Sequence, residues 1–320
     1  MPNSFGFGTD TTGFSSTVHD NILKQVVATL RAGLVSLPKG AVVPAVIVAQ
    51  SGANFTLRST AYPDLVDTTP TDPLTEGVAP SALKLGIDTL DWTVTQSGGR
   101  TVITDIAQFQ SPHNLSGVAT DKIARLSAEK IDAIGRAALA AGAADLGDGM
   151  TGLSTDILLD AVANLQSRNV EPIPGVGYYC LLHPNALRGL TGETELNGYV
   201  DVMAQAEAGN LTKGAVGQYR GVTFLPSTKF VADGSGNYPV YLMGANSIAA
   251  GDISTIEFIH WSDAGVGNEL KQLMGVGFKG ILGAKVLDFS ETADGSSTNA
   301  STTARVVSFT VTTGVTGSLA

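Results

Sequence analysis

One stretch governs what this chain can become. Residues 120–144 hold the longest run of helical periodicity, in a sequence whose other apolar residues fall in short runs. Ile123, Leu126, Ile131, Ile134, Ala138 and Ala141 share one face of that helix. Lys122, Arg125, Glu129, Asp132 and Arg136 share the opposite face, with Asp132 and Arg136 spaced i, i+4. Thr120 stands in place to cap it, and Asp121 suits its first turn. At about 1.5 Å per residue the rod is roughly 37 Å long. Its apolar side has to be buried against another layer, and the rest of the chain offers β-strands. The expected class is α+β.

The strand signal is clearest just before that helix. Leu83, Leu85 and Ile87 alternate with Lys84, Gly86 and Asp88, and Leu90, Trp92 and Val94 with Asp91, Thr93 and Thr95. After Ser97-Gly98-Gly99-Arg100, residues 101–105 are β-prone again. Two β-rich arms around a Gly-Gly pair predict a hairpin that turns at Gly98 and Gly99. A two-stranded ribbon is marginal alone, so Trp92, Gly98, Gly99 and Arg100 are predicted contacts between subunits. Trp92 is the natural anchor; packing of its ring within its own subunit is the alternative.

Elsewhere the chain reads in order. Residues 1–18 are Gly, Ser, Thr and Phe with the single charge of Asp10, an arm that cannot fold alone. Residues 19–34 carry Ile22, Leu23, Val26, Val27, Leu30 and Leu34 at helical spacing, punctuated by Gly33, Pro38 and Gly40. Pro70, Pro73, Gly77 and Pro80 mark an irregular, exposed connection over residues 68–80. Past the long helix, residues 156–166 form a second one behind Ser154, and residues 184–190 and 198–208 form short ones. Strands are predicted over 176–182, 222–226, 240–243, 255–260, 273–287 and 306–312, with a Ser/Thr/Asn/Gly loop over 294–303. No internal repeat of fixed period occurs.

Composition removes several classes of function. Nineteen Lys and Arg against 29 Asp and Glu give a net charge of −10, the wrong sign for wrapping nucleic acid through its phosphates. The longest apolar run, residues 41–49, is broken by Pro44 and falls short of the roughly 20 residues of a membrane span. The first 20 residues hold no Lys, Arg or apolar core, which argues against a secretory signal. Lone Cys180 excludes a disulfide framework within the chain and a Cys-rich zinc site. Only 15% of residues are charged and the mean hydropathy is +0.18. Such a chain is expected to be soluble, with an apolar surface buried against neighbouring subunits.

The catalytic inventory is empty. Gly275-Val-Gly277-Phe-Lys-Gly280 spells a dinucleotide fingerprint, but a β-like run follows it where a helix should open. Glycines in a closely packed strand are the better reading. Cys180 and His183 lie three apart with no further ligand nearby, so Cys180 reads as a buried small thiol. His19, His113 and His260 share no spacing. Asp233-Gly-Ser-Gly-Asn237 and Asp294-Gly-Ser-Ser297 lack the acidic twelfth position of a calcium loop and read as turns. Sequons at Asn54, Asn114, Asn210 and Asn299 carry no meaning without a secretory route. No catalytic residue, cofactor or metal is predicted.

Several segments together resemble the major capsid proteins of tailed bacteriophages, especially the branch typified by short-tailed phages. Leu74-Thr-Glu-Gly-Val78 followed by residues 92–105 resembles that family's extended loop. Leu181-Leu-His-Pro-Asn-Ala-Leu-Arg188 resembles the His-Pro segment that opens its axial domain, and Gly217-Gln-Tyr-Arg-Gly-Val-Thr-Phe224 a later loop and strand. Met274-Gly-Val-Gly-Phe-Lys-Gly280 and residues 284–287 resemble the closing strand of its peripheral domain. The likeness spans roughly residues 74–287; the Ser/Thr-rich tail after Phe289 departs from it.

The resemblance implies the tailed-bacteriophage and herpesvirus type of major capsid fold. It divides the chain into an N-terminal arm with a short helix (1–50), an extended β-hairpin loop (51–106) and a peripheral domain with a long spine helix (107–175). An axial domain (176–263) and returning peripheral strands with a tail (264–320) follow. It implies self-assembly, in hexamers and pentamers, into an icosahedral shell around double-stranded DNA that is packaged without sequence-specific binding. Scaffold, portal and decoration proteins are the further partners it implies, and the virion, assembled in the host cytoplasm, the location. Some relatives cross-link a loop Lys to a neighbour's Asn; Lys84 has no matching Asn and Glu here, so no cross-link is expected. A tail-tube or other virion structural protein and a nucleotide-binding enzyme are the alternatives.

Overall fold

The computed structural model describes residues 35–49, 55–61, 76, 88–191, 218–261, 270–288 and 304–312. The predicted arm, the helix at 19–34, the Pro-rich approach apart from Glu76, Lys84, the helix at 198–208 and the loop at 294–303 lie outside them.

Two sheets organise the chain. The first runs in the order β1 (Val42–Pro44), β11 (Ile248–Trp261), β12 (Leu273–Val286), β4 (Asp88–Thr104), β3 (Phe55–Ala61), β2 (Val46–Ala49). Only Ala45 separates β1 from β2, so the two ends of the sheet are one continuous piece of chain. Ala45 donates its N–H to the Ala250 carbonyl at 3.0 Å, and Gly251 leaves the room this corner needs. A Cβ on Gly251 would stand 3.1 Å from the Ala45 Cβ and 3.3 Å from a methyl of fully buried Leu57.

Strand β4 joins two regions. Residues 88–94 pair with β3 to make an antiparallel ribbon, and residues 95–104 pair with β12 in the body of the sheet. The hairpin turn expected at Gly98 and Gly99 is therefore wrong, because the chain runs straight through both residues. Neither has positive φ; they oppose Lys279 and Phe278 of β12. Their smallness serves close approach instead of a turn. A Cβ on Gly98 would lie 2.6 Å from the Phe278 carbonyl oxygen. One on Gly99 would lie 3.1 Å from the Phe278 ring and 3.2 Å from Leu126.

The long helix, α2 (Leu115–Gly142), lies on this sheet after a short α1 (Asp105–Gln110). Its 28 residues make a rod of about 42 Å. It starts five residues before Thr120, because the Asn114 side chain accepts the Gly117 N–H at 3.1 Å and caps it. Thr120 is buried one turn inside and donates its hydroxyl to the Ser116 carbonyl. The buried stripe is Ala119, Thr120, Ile123, Ala124, Ser127, Ala128, Asp132, Gly135 and Leu139. Among the residues expected inside, Ile123 is buried, Ile131, Ile134 and Ala138 are partly covered, and Leu126 and Ala141 are exposed. Asp132, placed outside by its charge, is inside. Small residues win the contact face because the sheet supplies the bulk: Val276 and Phe278 rise against Ala119 and Ile123.

The second sheet runs β5 (Ala144–Asp145), β13 (Val306–Thr312), β10 (Asn237–Met243), β7 (Tyr178–Leu182), β9 (Val222–Pro226), β8 (Gln218–Tyr219), with β6 (Met150–Thr151) also on β13. Helices α3 (Thr155–Ser167) and α4 (Pro184–Thr191) bury Leu158, Leu165, Leu187 and Leu190 against Cys180, Leu182, Leu242 and Phe309. Ser154 caps α3 through the Ile157 N–H. A further cluster, with Leu139, Ile173, Met243, Ile248, Val286 and Val306, welds the end of α2 to both sheets.

Two strand pairings span residue 263. Strand β11, inside the expected axial span, pairs with β1 and β12 of the first sheet. Strand β13, expected to return to the peripheral region, pairs with β10 of the second. Both pairings join segments far apart in the chain, which period-two alternation cannot specify.

Candidate assembly surfaces

A groove of about 400 Å³ opens where the ribbon leaves the body. Trp92, Val94 and Thr95 of β4 form one wall, Ile134, Ala138 and Ala141 of α2 the other, and Gly283 lies between them. Lys130 and Lys285 stand at its rim. Trp92 opposes Leu57 in the ribbon and is half-buried. Its ring lies so near β12 that a Cβ on Gly283 would meet Nε1 at 3.1 Å. That Nε1 is buried and has no acceptor among the described residues. The groove is thus apolar, with one unspent donor and two cations.

The ribbon itself is braced. Arg58 and Asp91 face each other across β3 and β4, with Nε–Oδ1 and Nη2–Oδ2 both at 2.6 Å. The guanidinium holds the Asp91 carboxyl below the usual carboxylate range.

On the sheet face away from α2, Val102, Gly275 and Trp261 are in register, as are Arg100, Gly277 and Ile259. A Cβ on Gly275 would overlap the Trp261 indole, so the Gly-Val-Gly run lets that ring lie across β12. The literal dinucleotide fingerprint is a strand interior. Arg100 is exposed on this face, and Lys279 pairs with Glu257 there at 3.0 Å.

A third surface lies at the end of the sheet. Phe109 is 88% exposed and Ile106 and Leu270 are exposed with it. The Asp105 N–H donates to the Gln272 carbonyl at 2.9 Å, which sets residues 270–272 beside α1. None of the three belongs to a motif or to an element predicted from the sequence. Their signal was Phe109 at the end of a six-residue helix too short to have a core face.

Trp92, Gly98, Gly99 and Arg100 are not one cluster. Trp92 belongs to the groove, Gly99 to the contact with α2, and Gly98 and Arg100 to the opposite face. Cys180 is fully buried, and that burial pushes its thiol far up, so no thiolate is presented. His183 stacks on Tyr238 with ring centroids 4.5 Å apart, and its Nδ1 accepts the Asn185 N–H at 3.1 Å. The Asp233 carboxylate accepts the N–H groups of Ser235 and Asn237 and closes a turn. No group of three potential metal ligands occurs among the described residues, nor does any helix long and apolar enough to cross a membrane.

No protein-family model matches the chain, and no curated protein does. Solved structures do. The cyanophage Pam1 capsid matches at a TM-score of 0.59 and 14% identity, covering 82% of this chain and 86% of its own. The capsid of Ralstonia phage GP4 matches at 0.59 and 12%, covering 88% and 87%. Microbacterium phage Oxtober96 matches at 0.59 and 13%, covering 87% and 91%. The fold is that of the tailed-bacteriophage major capsid proteins. Within the capsid fold, the α2 rod, the ribbon and the two sheets are intrinsic to the subunit. The groove, the Phe109 patch and the outer sheet face are surfaces that these elements leave exposed.

Proposed function

We propose that the chain is a structural protein that self-assembles, in rings of six and five copies, into an icosahedral shell around packaged double-stranded DNA. The observation that carries this reading is the capsid fold extending over more than four-fifths of the chain. Apolar surface that the subunit leaves uncovered at Phe109, Ile106 and Leu270 supports it. Contacts of this kind are head-to-tail and close by rotation, so different patches of one subunit meet. The negative net charge suits a container whose wall must not hold the phosphates inside it. Trp92 serves as an anchor at the groove, and Arg100 lies on a separate contact face. Scaffold, portal and decoration proteins are the further partners of such a shell, and the virion is its location.

The test is electron microscopy and sedimentation of the purified chain across a range of concentrations. Closed shells are expected. Open tubes would point to a tail-tube protein, and a chain that stays monomeric at every concentration, alone or with co-expressed phage structural proteins, would refute the reading.

A further inference from the structure

The two ends of α2 carry opposite shapes. Just before its start, α1 holds Phe109 and Ile106 out of the body with Leu270 beside them, a projecting apolar knob. Toward its end, Ile134, Ala138 and Ala141 wall the groove of about 400 Å³. That is the space of about a dozen waters, enough for a phenylalanine ring with an isoleucine next to it. Ile134 lies about 28 Å along the rod from Leu115, so a subunit cannot fill its groove with its own knob.

The polar groups of the two features also match. In the groove, the buried Trp92 Nε1 has no acceptor among the described residues. Beside Phe109 the backbone has acceptors to spare. Pro112 brings no N–H for the Gln108 carbonyl. The His113 N–H, which would serve the Phe109 carbonyl, goes to Ser111 Oγ at 3.1 Å. Lys130 and Lys285 stand at the groove rim, whereas α1 opens with Asp105 and holds no cation.

We propose that Phe109 and Ile106 of one subunit seat in the Trp92 groove of the next copy, with Trp92 Nε1 donating to a carbonyl at the end of α1 and Asp105 facing Lys130. The inference rests on the shell-forming reading above and names which two surfaces meet. Knob and groove are different parts of one subunit, so the contact repeats head to tail until a ring closes.

The test places one thiol at each surface. Cys180 is fully buried and does not compete. Gln110→Cys and Ala141→Cys change exposed positions beside the knob and in the groove wall, and both keep Phe109 and Trp92. Treated with a short bismaleimide at concentrations where particles form, a mixture of the two variants should give a linked dimer, and the double variant a ladder of multimers. Either variant alone should give neither. Phe109→Ser should raise the threshold concentration for particles by about tenfold or more without moving the melt of the unassembled subunit. Asp105→Lys should raise it too, and Lys130→Asp in the same chain should bring it back. Particles that form normally yet yield no mixed dimer would overturn the proposal. Dimers from one variant alone would also overturn it, because like surfaces would then be meeting. A linked ladder from open tubes would keep this contact and refute the shell reading instead.

Discussion

Replacing Leu139 and Ile134 by alanine, one at a time, separates the interior of this subunit from the groove proposed as a contact between copies. Leu139 is fully buried between Ile173, Met243, Val286 and Val306, so truncation leaves a cavity closed on all sides. A Leu→Ala change in such a place costs about 2–5 kcal/mol. Ile134 is bulkier at Cβ and equally hydrophobic, but it lines the open groove and is only partly covered. Half of a full burial of roughly 1.5–3 kcal/mol puts its cost near 1 kcal/mol, with no closed cavity to add. At about 2–4 °C per kcal/mol, Leu139→Ala should lower the melting temperature of the unassembled subunit by roughly 4–20 °C, and Ile134→Ala by about 2–4 °C. Circular dichroism below the assembly threshold gives both numbers. Sedimentation above it should show the reverse order when the Leu139 variant is compared at a temperature where it is folded: Ile134→Ala assembles poorly, Leu139→Ala normally. Equal melting temperatures, or a larger drop for Ile134, would refute the assignment of the buried stripe.

Trp92→Phe keeps the ring in the groove and removes a buried donor that no described residue accepts, so the isolated subunit should melt at the same temperature or slightly higher. If a neighbour supplies the acceptor, the same variant should need a higher concentration to form particles, read by light scattering. Gly98→Asn, harmless in a hairpin turn, should instead destabilise by roughly 1–3 kcal/mol because its Cβ meets the Phe278 carbonyl; a neutral result in denaturant unfolding would restore the turn. Burial depresses the His183 pKa below its ordinary 6.5, so the unfolded chain binds the proton first as pH falls. Stability should therefore be full above about pH 6.5 and decline below it, and His183→Gln should flatten that limb of the curve in urea titrations across pH.

Local pattern carried far into this molecule. Helix α3 follows its Ser154 cap, and β9 and β13 stand at residues 222–226 and 306–312, as their short apolar runs imply. Positive φ at Arg220 and Gly221 shows why β9 starts sharply. What failed was choice between uses of the same residue. A Gly-Gly pair serves a turn or a close crossing, and only β12, some 180 residues away, decides which. The contact face of α2 was misjudged for a related reason: hydrophobicity ranks Leu126 above Ser127, but the sheet had already filled the space a Leu would take. Asp132 was unreadable because its partners are backbone N–H groups 96 and 97 positions earlier, which leave no mark in side-chain pattern. The groove combines two lysines and a tryptophan from three elements, and nothing in their spacing announces it.

The way the first sheet ends on itself has a mechanical consequence. Between the ribbon of β2, β3 and the first half of β4 and the rest of the subunit, the described chain crosses only twice, at Ala45 and between Val94 and Thr95. At each crossing the body offers a glycine, Gly251 beside Ala45 and Leu57 and Gly283 beside Trp92 and Val94, so that buried side chains of the ribbon seat directly on its backbone. Braced internally by Arg58 and Asp91 and seated at its base on those two glycines, the ribbon is held as one stiff arm. A side chain added at either glycine should therefore tilt the whole arm while its internal pairing stays intact.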